Sequence, residues 1–132
     1  MVKMIRNLLV LMTLVVGCVS FNQCSAEWVK AADSSVGAVY YVDSDSITSK
    51  IDNRIGFFSC ETNVKIVAGN RQEQIHMVFY QGGGNPLMVE NVATGSSGSV
   101  DTSTVAFDIF KVCADRLNVT YRISGHYIFV GN

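Results

Sequence analysis

Between Phe57 and Ile66 the chain alternates with a period of two: Phe58, Cys60, Thr62, Val64 and Ile66 fall on one side, and Phe57, Ser59, Glu61, Asn63 and Lys65 on the other. Only an extended strand turns successive side chains to opposite faces, so a largely apolar row against a largely polar one specifies a half-buried antiparallel strand. Gly69-Asn70 follows as a turn, and Gln74-Ile75-His76-Met77-Val78-Phe79-Tyr80 is a second strand-like run. Two long adjacent strands joined by a short turn read as a hairpin, and the remaining segments have to pack around it.

Upstream, Trp28-Val29-Lys30-Ala31 and Val39-Tyr40-Tyr41-Val42 are β-branched and aromatic runs separated by a Ser34-Ser35-Val36-Gly37 turn signal, which predicts two short strands. Asp43-Ser44-Asp45-Ser46 is turn and cap chemistry, because short polar side chains bond to nearby backbone N–H groups. Ile47 then lies in a short connection running to Asp52-Asn53. Downstream, the pattern dissolves between Gln81 and Thr102. Gly82-Gly83-Gly84-Asn85-Pro86 holds no regular structure, Ala93 to Ser99 is a flexible polar stretch, and Leu87 to Val92 is either a short helix or an extended piece.

A helix is predicted from about Ser103 to Leu117. Ala106, Phe110, Cys113 and Leu117 recur at helical spacing with Phe107 and Ile109 beside them, while Asp108, Lys111, Asp115 and Arg116 point elsewhere. Asp101, Thr102 and Ser103 are candidate N-caps, Lys111 can pair with Asp108 or Asp115, and Asn118 is a helix stop. Val119 to Ile123 and Tyr127 to Val130 close the chain as strand-like runs around Ser124-Gly125. The expected fold class is α+β: an antiparallel β-sheet of about five to six strands with one helix from the C-terminal half packed on it.

The first residues read differently. Lys3 and Arg6 precede an apolar run, Leu8 to Val16, that is too short for a membrane span of roughly 20 residues. The positive, apolar, small-residue order is that of an export signal. This divides the chain into a signal peptide over 1–26 and one domain over 27–132. Two processing sites compete: Cys24-Ser25-Ala26 suits cleavage before Glu27, and Val15-Val16-Gly17-Cys18 resembles a lipobox with Cys18 as the lipidated residue. Cysteine parity favours Ala26, since that cut leaves the even pair Cys60 and Cys113, whereas lipidation at Cys18 strands Cys24 as an odd thiol. The destination is periplasmic or secreted, alternatively an outer-membrane lipoprotein, and membrane attachment is expected only with lipidation at Cys18.

Cys60 lies on the inner row of the central strand and Cys113 on the apolar face of the helix, so a disulfide between them would staple helix to sheet. The chain has net charge −1 with its charges sparse and interspersed, so the electrostatic term that drives nucleic-acid binding is missing. Asp43 to Ser46 departs from a calcium loop at Ile47 and Thr48. His76 and His126 are the two histidines, and neither has the nucleophile and orienting acid that a hydrolase dyad needs. Gly82-Gly83-Gly84 lacks the lysine of a phosphate loop. No catalytic, metal or cofactor-binding residues are therefore expected. Strand alternation puts one ring of each adjacent pair outside, one of Tyr40 and Tyr41 and one of Phe79 and Tyr80, and the tyrosines Tyr40, Tyr41 and Tyr80 are the candidates for a recognition surface. Gly83 and Asn85 join them as members of a loop on a rigid sheet.

Glu27-Trp28-Val29-Lys30 followed by Val39-Tyr40-Tyr41-Val42-Asp43-Ser44-Asp45-Ser46-Ile47, with the long central strand and a late helix carrying Cys113, resembles the surface-adhesin protein E family of small exported Gram-negative proteins. Gly56-Phe57-Phe58-Ser59-Cys60 replaces the Trp or Val run usual in that family's central strand. The resemblance implies an antiparallel sheet with a packed helix, no catalytic residues, a host matrix or envelope protein as partner, and possible homodimers. The expected function is adhesin-like protein recognition at the cell envelope; the alternative is a periplasmic inhibitor or accessory subunit that inserts its Gly82–Pro86 or Ala93–Ser99 loop into an envelope enzyme.

Overall fold

A computed structural model describes residues 26–131. Apart from Ala26, the expected export signal, with both Cys18 and Cys24, lies outside the described residues. The described chain runs β1 (Trp28–Asp33), β2 (Val39–Asp43), a single 3-10 turn (Ser44–Ser46), β3 (Thr48–Asp52), β4 (Phe57–Ala68), β5 (Arg71–Gln81), β6 (Met88–Asn91), β7 (Ser96–Ser99), α1 (Val105–Leu117), β8 (Tyr121–Ser124) and β9 (Tyr127–Val130). The architecture is α+β, as expected, with a seven-stranded sheet ordered β1-β2-β4-β5-β6-β7, β3 lying beside β4, and β8-β9 forming a separate hairpin. All the pairings are antiparallel.

The long β4–β5 hairpin is its spine, paired from Ala68↔Arg71 at the turn to Phe58↔Gln81 at the far end. β2 and β3 share the opposite edge of β4: β2 covers Val64 to Val67 and β3 covers Phe57 to Glu61. The 3-10 turn between them offsets one strand from the other. Asp43 caps that turn by accepting from the Asp45 N–H at 3.0 Å. The Ser46 hydroxyl donates to the Asp43 carbonyl at 2.8 Å and accepts from the Asn63 N–H at 2.9 Å, which anchors the turn to β4. This local bonding accounts for the polar tetrapeptide as turn and cap chemistry.

Two segments differ from what the pattern predicts. Thr48–Asp52 is a strand rather than a connection, and Ser96–Ser99 is a strand rather than a flexible stretch; of the two alternatives for Leu87 to Val92, Met88–Asn91 takes the extended one. β3 and β7 are largely exposed on both faces, so neither buries a row of apolar side chains that a period could reveal. Their order comes from backbone pairing with β4 and β6, whose edge N–H and C=O groups need partners. The β6–β7 turn is closed by Gly95 N–H to Asn91 carbonyl at 2.8 Å, and the Asn91 side chain accepts from Ala93 N–H at 3.0 Å.

α1 lies on the inner face of the sheet. Its buried residues are Phe107, Ile109, Phe110, Cys113 and Ala114, and they meet Val42, Phe58, Cys60, Val64, Met77 and Phe79 from the sheet, with Leu87, Val100 and Ile128 closing the cluster. Thr62 is a fully buried hydroxyl in an otherwise apolar row, and Ser46 Oγ lies 3.1 Å from its Oγ1. The N-cap position belongs to Thr104, which makes no side-chain cap bond; Asp101 instead holds the preceding turn by accepting from the Ser103 N–H at 2.8 Å. Lys111 pairs with Asp108 at 3.3 Å. Asn118 ends the helix in the left-handed region at φ 58°, a conformation asparagine tolerates better than most residues.

The β8–β9 hairpin is tied to the sheet by a side chain acting as backbone. The Gln81 amide accepts from Val130 N–H at 2.8 Å and donates to Val130 C=O at 3.4 Å, while Leu87 N–H donates to Ile128 C=O at 2.8 Å. Gln81→Leu keeps the volume but leaves the half-buried Val130 groups unpaired. It is expected to cost about 1–2 kcal/mol in urea unfolding; a change within experimental error would mean that apolar packing alone holds the hairpin.

Candidate functional site

The opposite, outer face of the sheet is covered by no other element among the described residues. Alternation along β4 sends Phe57, Ser59, Glu61, Asn63 and Lys65 to it, because Phe58, Cys60, Thr62 and Val64 are committed to the core. Cross-strand register then extends the face row by row. Lys30, Tyr41, Lys65 and Gln74 form one row, Asn63 and His76 another, Thr48, Glu61, Val78 and Glu90 a third, and Lys50, Ser59, Tyr80 and Met88 a fourth.

Two groups of side chains on this face are held in place. At one end the Lys65 ammonium sits 4.7 Å from the Trp28 ring centre and 5.2 Å from that of Tyr41. Both distances are within the range where a cation is attracted by an aromatic quadrupole, so the lysine fixes two half-buried rings and brings a positive charge between them. In the middle, His76 Nδ1 lies 2.8 Å from Asn63 Oδ1 and Nε2 lies 2.7 Å from Glu61 Oε1. A neutral imidazole has one N–H, so it donates to one neighbour and accepts from the other, which the Asn63 amide can supply by turning over. Beyond this trio, Tyr80 and Phe57 stand diagonally across β4 and β5.

The structure thus selects within each aromatic pair. Tyr41 and Tyr80 point outward, whereas Tyr40 packs against the core beside Ile66 and Phe79 is fully buried. Tyr40 is therefore not part of the candidate surface: β2 meets β4 with Tyr41 opposite Lys65, and that register assigns Tyr40 to the inner face. Gly83 and Asn85 are not on the face either. They belong to a turn at the end of β5, closed by Asn85 N–H to Gly82 C=O at 3.1 Å, and the neighbouring Leu87 is tied to β9. Gly83, with φ 58°, lines a cleft of about 440 Å³ bounded also by Ile51, Phe57, Asn118 and Val130.

Cys60 and Cys113 are brought together as foreseen, both buried, and the structure holds them as free thiols rather than as a disulfide. The Cys113 thiol beside it, and then burial, push the Cys60 thiol far up from its ordinary range. A thiol in that state is neutral and a poor nucleophile.

The His76–Asn63–Glu61 trio was missed as a unit, although its signal was present. A two-residue turn at Gly69-Asn70 places Ala68 opposite Arg71, and that register carries Asn63 to His76. Among the described residues no helix is long and apolar enough to cross a membrane. Comparison of the chain with family models, with curated proteins and with solved structures finds no match.

Proposed function

We propose that this chain is a non-enzymatic, exported binding domain that recognises a protein partner, from a host matrix or from the bacterial envelope, through the outer face of its sheet. The observation that carries the proposal is the composition of that face: Trp28, Tyr41, Phe57 and Tyr80 are half-buried rings on rigid strands, not on loops, and Lys65 already orders two of them. Large aromatic groups with few rotatable bonds and a polar handle give contact area at low entropic cost, and they are enriched at interface centres. The mixed charges around them, Lys30, Lys50, Glu61 and Glu90, set orientation. The family resemblance of the Trp28 to Ile47 segment supports the same direction, as does the export-type order of the first residues.

The mature domain is expected to bind at least one matrix protein or envelope fraction at micromolar concentration in a surface-immobilised assay. Truncating Tyr41 and Tyr80 together to alanine should weaken that binding about 10- to 100-fold, with the thermal midpoint nearly unchanged because neither ring is in the core. Absence of micromolar binding to any member of the panel, or full binding by the double variant, rejects the proposal.

A further inference from the structure

The backbone nitrogen of Glu27 is 3.3 Å from Asp43 Oδ1, across the start of the β1–β2 pair where Trp28 faces Asp43. Around it the contacts are dense. Ser44 N–H donates to the Glu27 carbonyl at 2.9 Å, and the Ser44 hydroxyl donates to Glu27 Oε1 at 2.7 Å. Asp43 is nearly buried, at 9% exposure, and its Oδ1 also accepts from Asp45 N–H at 3.0 Å.

This nitrogen follows Ala26, the point at which the export signal is expected to be cut. Within an uncut chain it is an amide with one N–H to give. After cleavage it is an α-ammonium with three, carrying a full positive charge beside a nearly buried carboxylate. We infer that Asp43 and Ser44 form a seat for the new N-terminus of the mature protein, so that cleavage between Ala26 and Glu27 converts a hydrogen bond from a neutral amide to the Asp43 carboxylate into an ion pair that clamps β1 onto the turn after β2. The ammonium adds a second charge to a bond that the carboxylate already assists, and a partly buried pair is less screened by salt than an exposed one. Lipidation at Cys18 leaves the Glu27 nitrogen an amide inside the chain, so the seat is specific to one of the two processing routes. The inference rests on the export reading and not on the identity of any partner.

The charged groups around the seat are the Glu27 carboxylate itself, Asp43, Asp45 and, from α1, Arg116, whose guanidinium lies 3.7 Å from Asp45. An ammonium facing Asp43 holds its proton to higher pH than in the unfolded chain. Its contribution is therefore complete below the ordinary α-amino range of ~7.7–8.0 and is lost as pH rises through the folded-state value.

The test compares a chain made to begin at Glu27 with one that begins two residues earlier, at Ser25, alongside N-terminal sequencing of the full chain after export from a bacterial host. The exported protein is expected to begin at Glu27. The Glu27 α-amino group, followed by its Cα chemical shift, is expected to titrate above the ordinary range of ~7.7–8.0, and Asp43→Asn, which keeps the cap, returns it to that range. The Glu27 chain should melt a few degrees above the Ser25 chain at about pH 6.5, the difference closing as pH rises through the folded-state value of the α-amino group. An exported protein that begins at Cys18 removes the processing half of the inference. Ordinary titration in the Glu27 chain, with no melting difference, removes the seat. The Ser25 comparison leaves Asp43 intact and decides the matter even if the Asp43→Asn variant does not fold.

Discussion

Phe110→Ala is expected to destabilise the domain by about 3–5 kcal/mol, a large part of the 5–15 kcal/mol by which domains of this kind are stable. Phe110 is fully buried on α1, and its ring meets Phe58 at 6.4 Å edge-on, Phe79 at 5.5 Å and Tyr121 at 5.5 Å between centroids. These partners come from β4, β5 and β8, so one side chain joins the helix, both spine strands and the hairpin. Truncation loses the transfer energy of the ring and opens a cavity among groups that cannot all close in, because each is fixed by its own backbone. Phe110→Leu should cost clearly less, since most of the volume is retained. Urea unfolding at 25 °C measures both; a loss under about 1 kcal/mol for the alanine variant would mean that the helix is held elsewhere.

The second large effect concerns Cys60 and Cys113. In an oxidising compartment the two buried neighbours are expected to become a disulfide between β4 and α1, closing a loop of about fifty residues; the chain-entropy model values such a loop at up to about 4 kcal/mol, and 2–4 is typical. Reduction is then expected to lower the thermal midpoint by roughly 10–20 °C for a domain of this size. Alkylation of the exported protein in denaturant should add nothing before reduction and modify both cysteines after it. Two modified cysteines without reduction would show that the protein works as the dithiol.

Several parts of this molecule were legible because they bury side chains in a repeating way. The period of two in β4, the β-branched and aromatic runs of β1, β2 and β5, and the helical spacing of Phe110 and Cys113 each encode a direction in space. Each element appears where those patterns place it. Asn118 was legible as a stop for a different reason, since few other side chains accept a left-handed backbone.

What depended on tertiary structure lay where side-chain burial is weak or where distant residues meet. β3 and β7 exist because β4 and β6 offer unpaired backbone edges, and exposed Thr, Ser and Lys residues carry no imprint of that. The choice of Tyr41 over Tyr40 for the outer face depended on the register of β2 against β4. The Gln81–Val130 clamp and the contact of Glu27 with Asp43 join residues 49 and 16 positions apart. A periodic pattern records the sidedness of one element within its own sequence. It holds no record of which polar atom a neighbouring element will bring within 3 Å, because that is decided only when the backbone pairs and the elements pack.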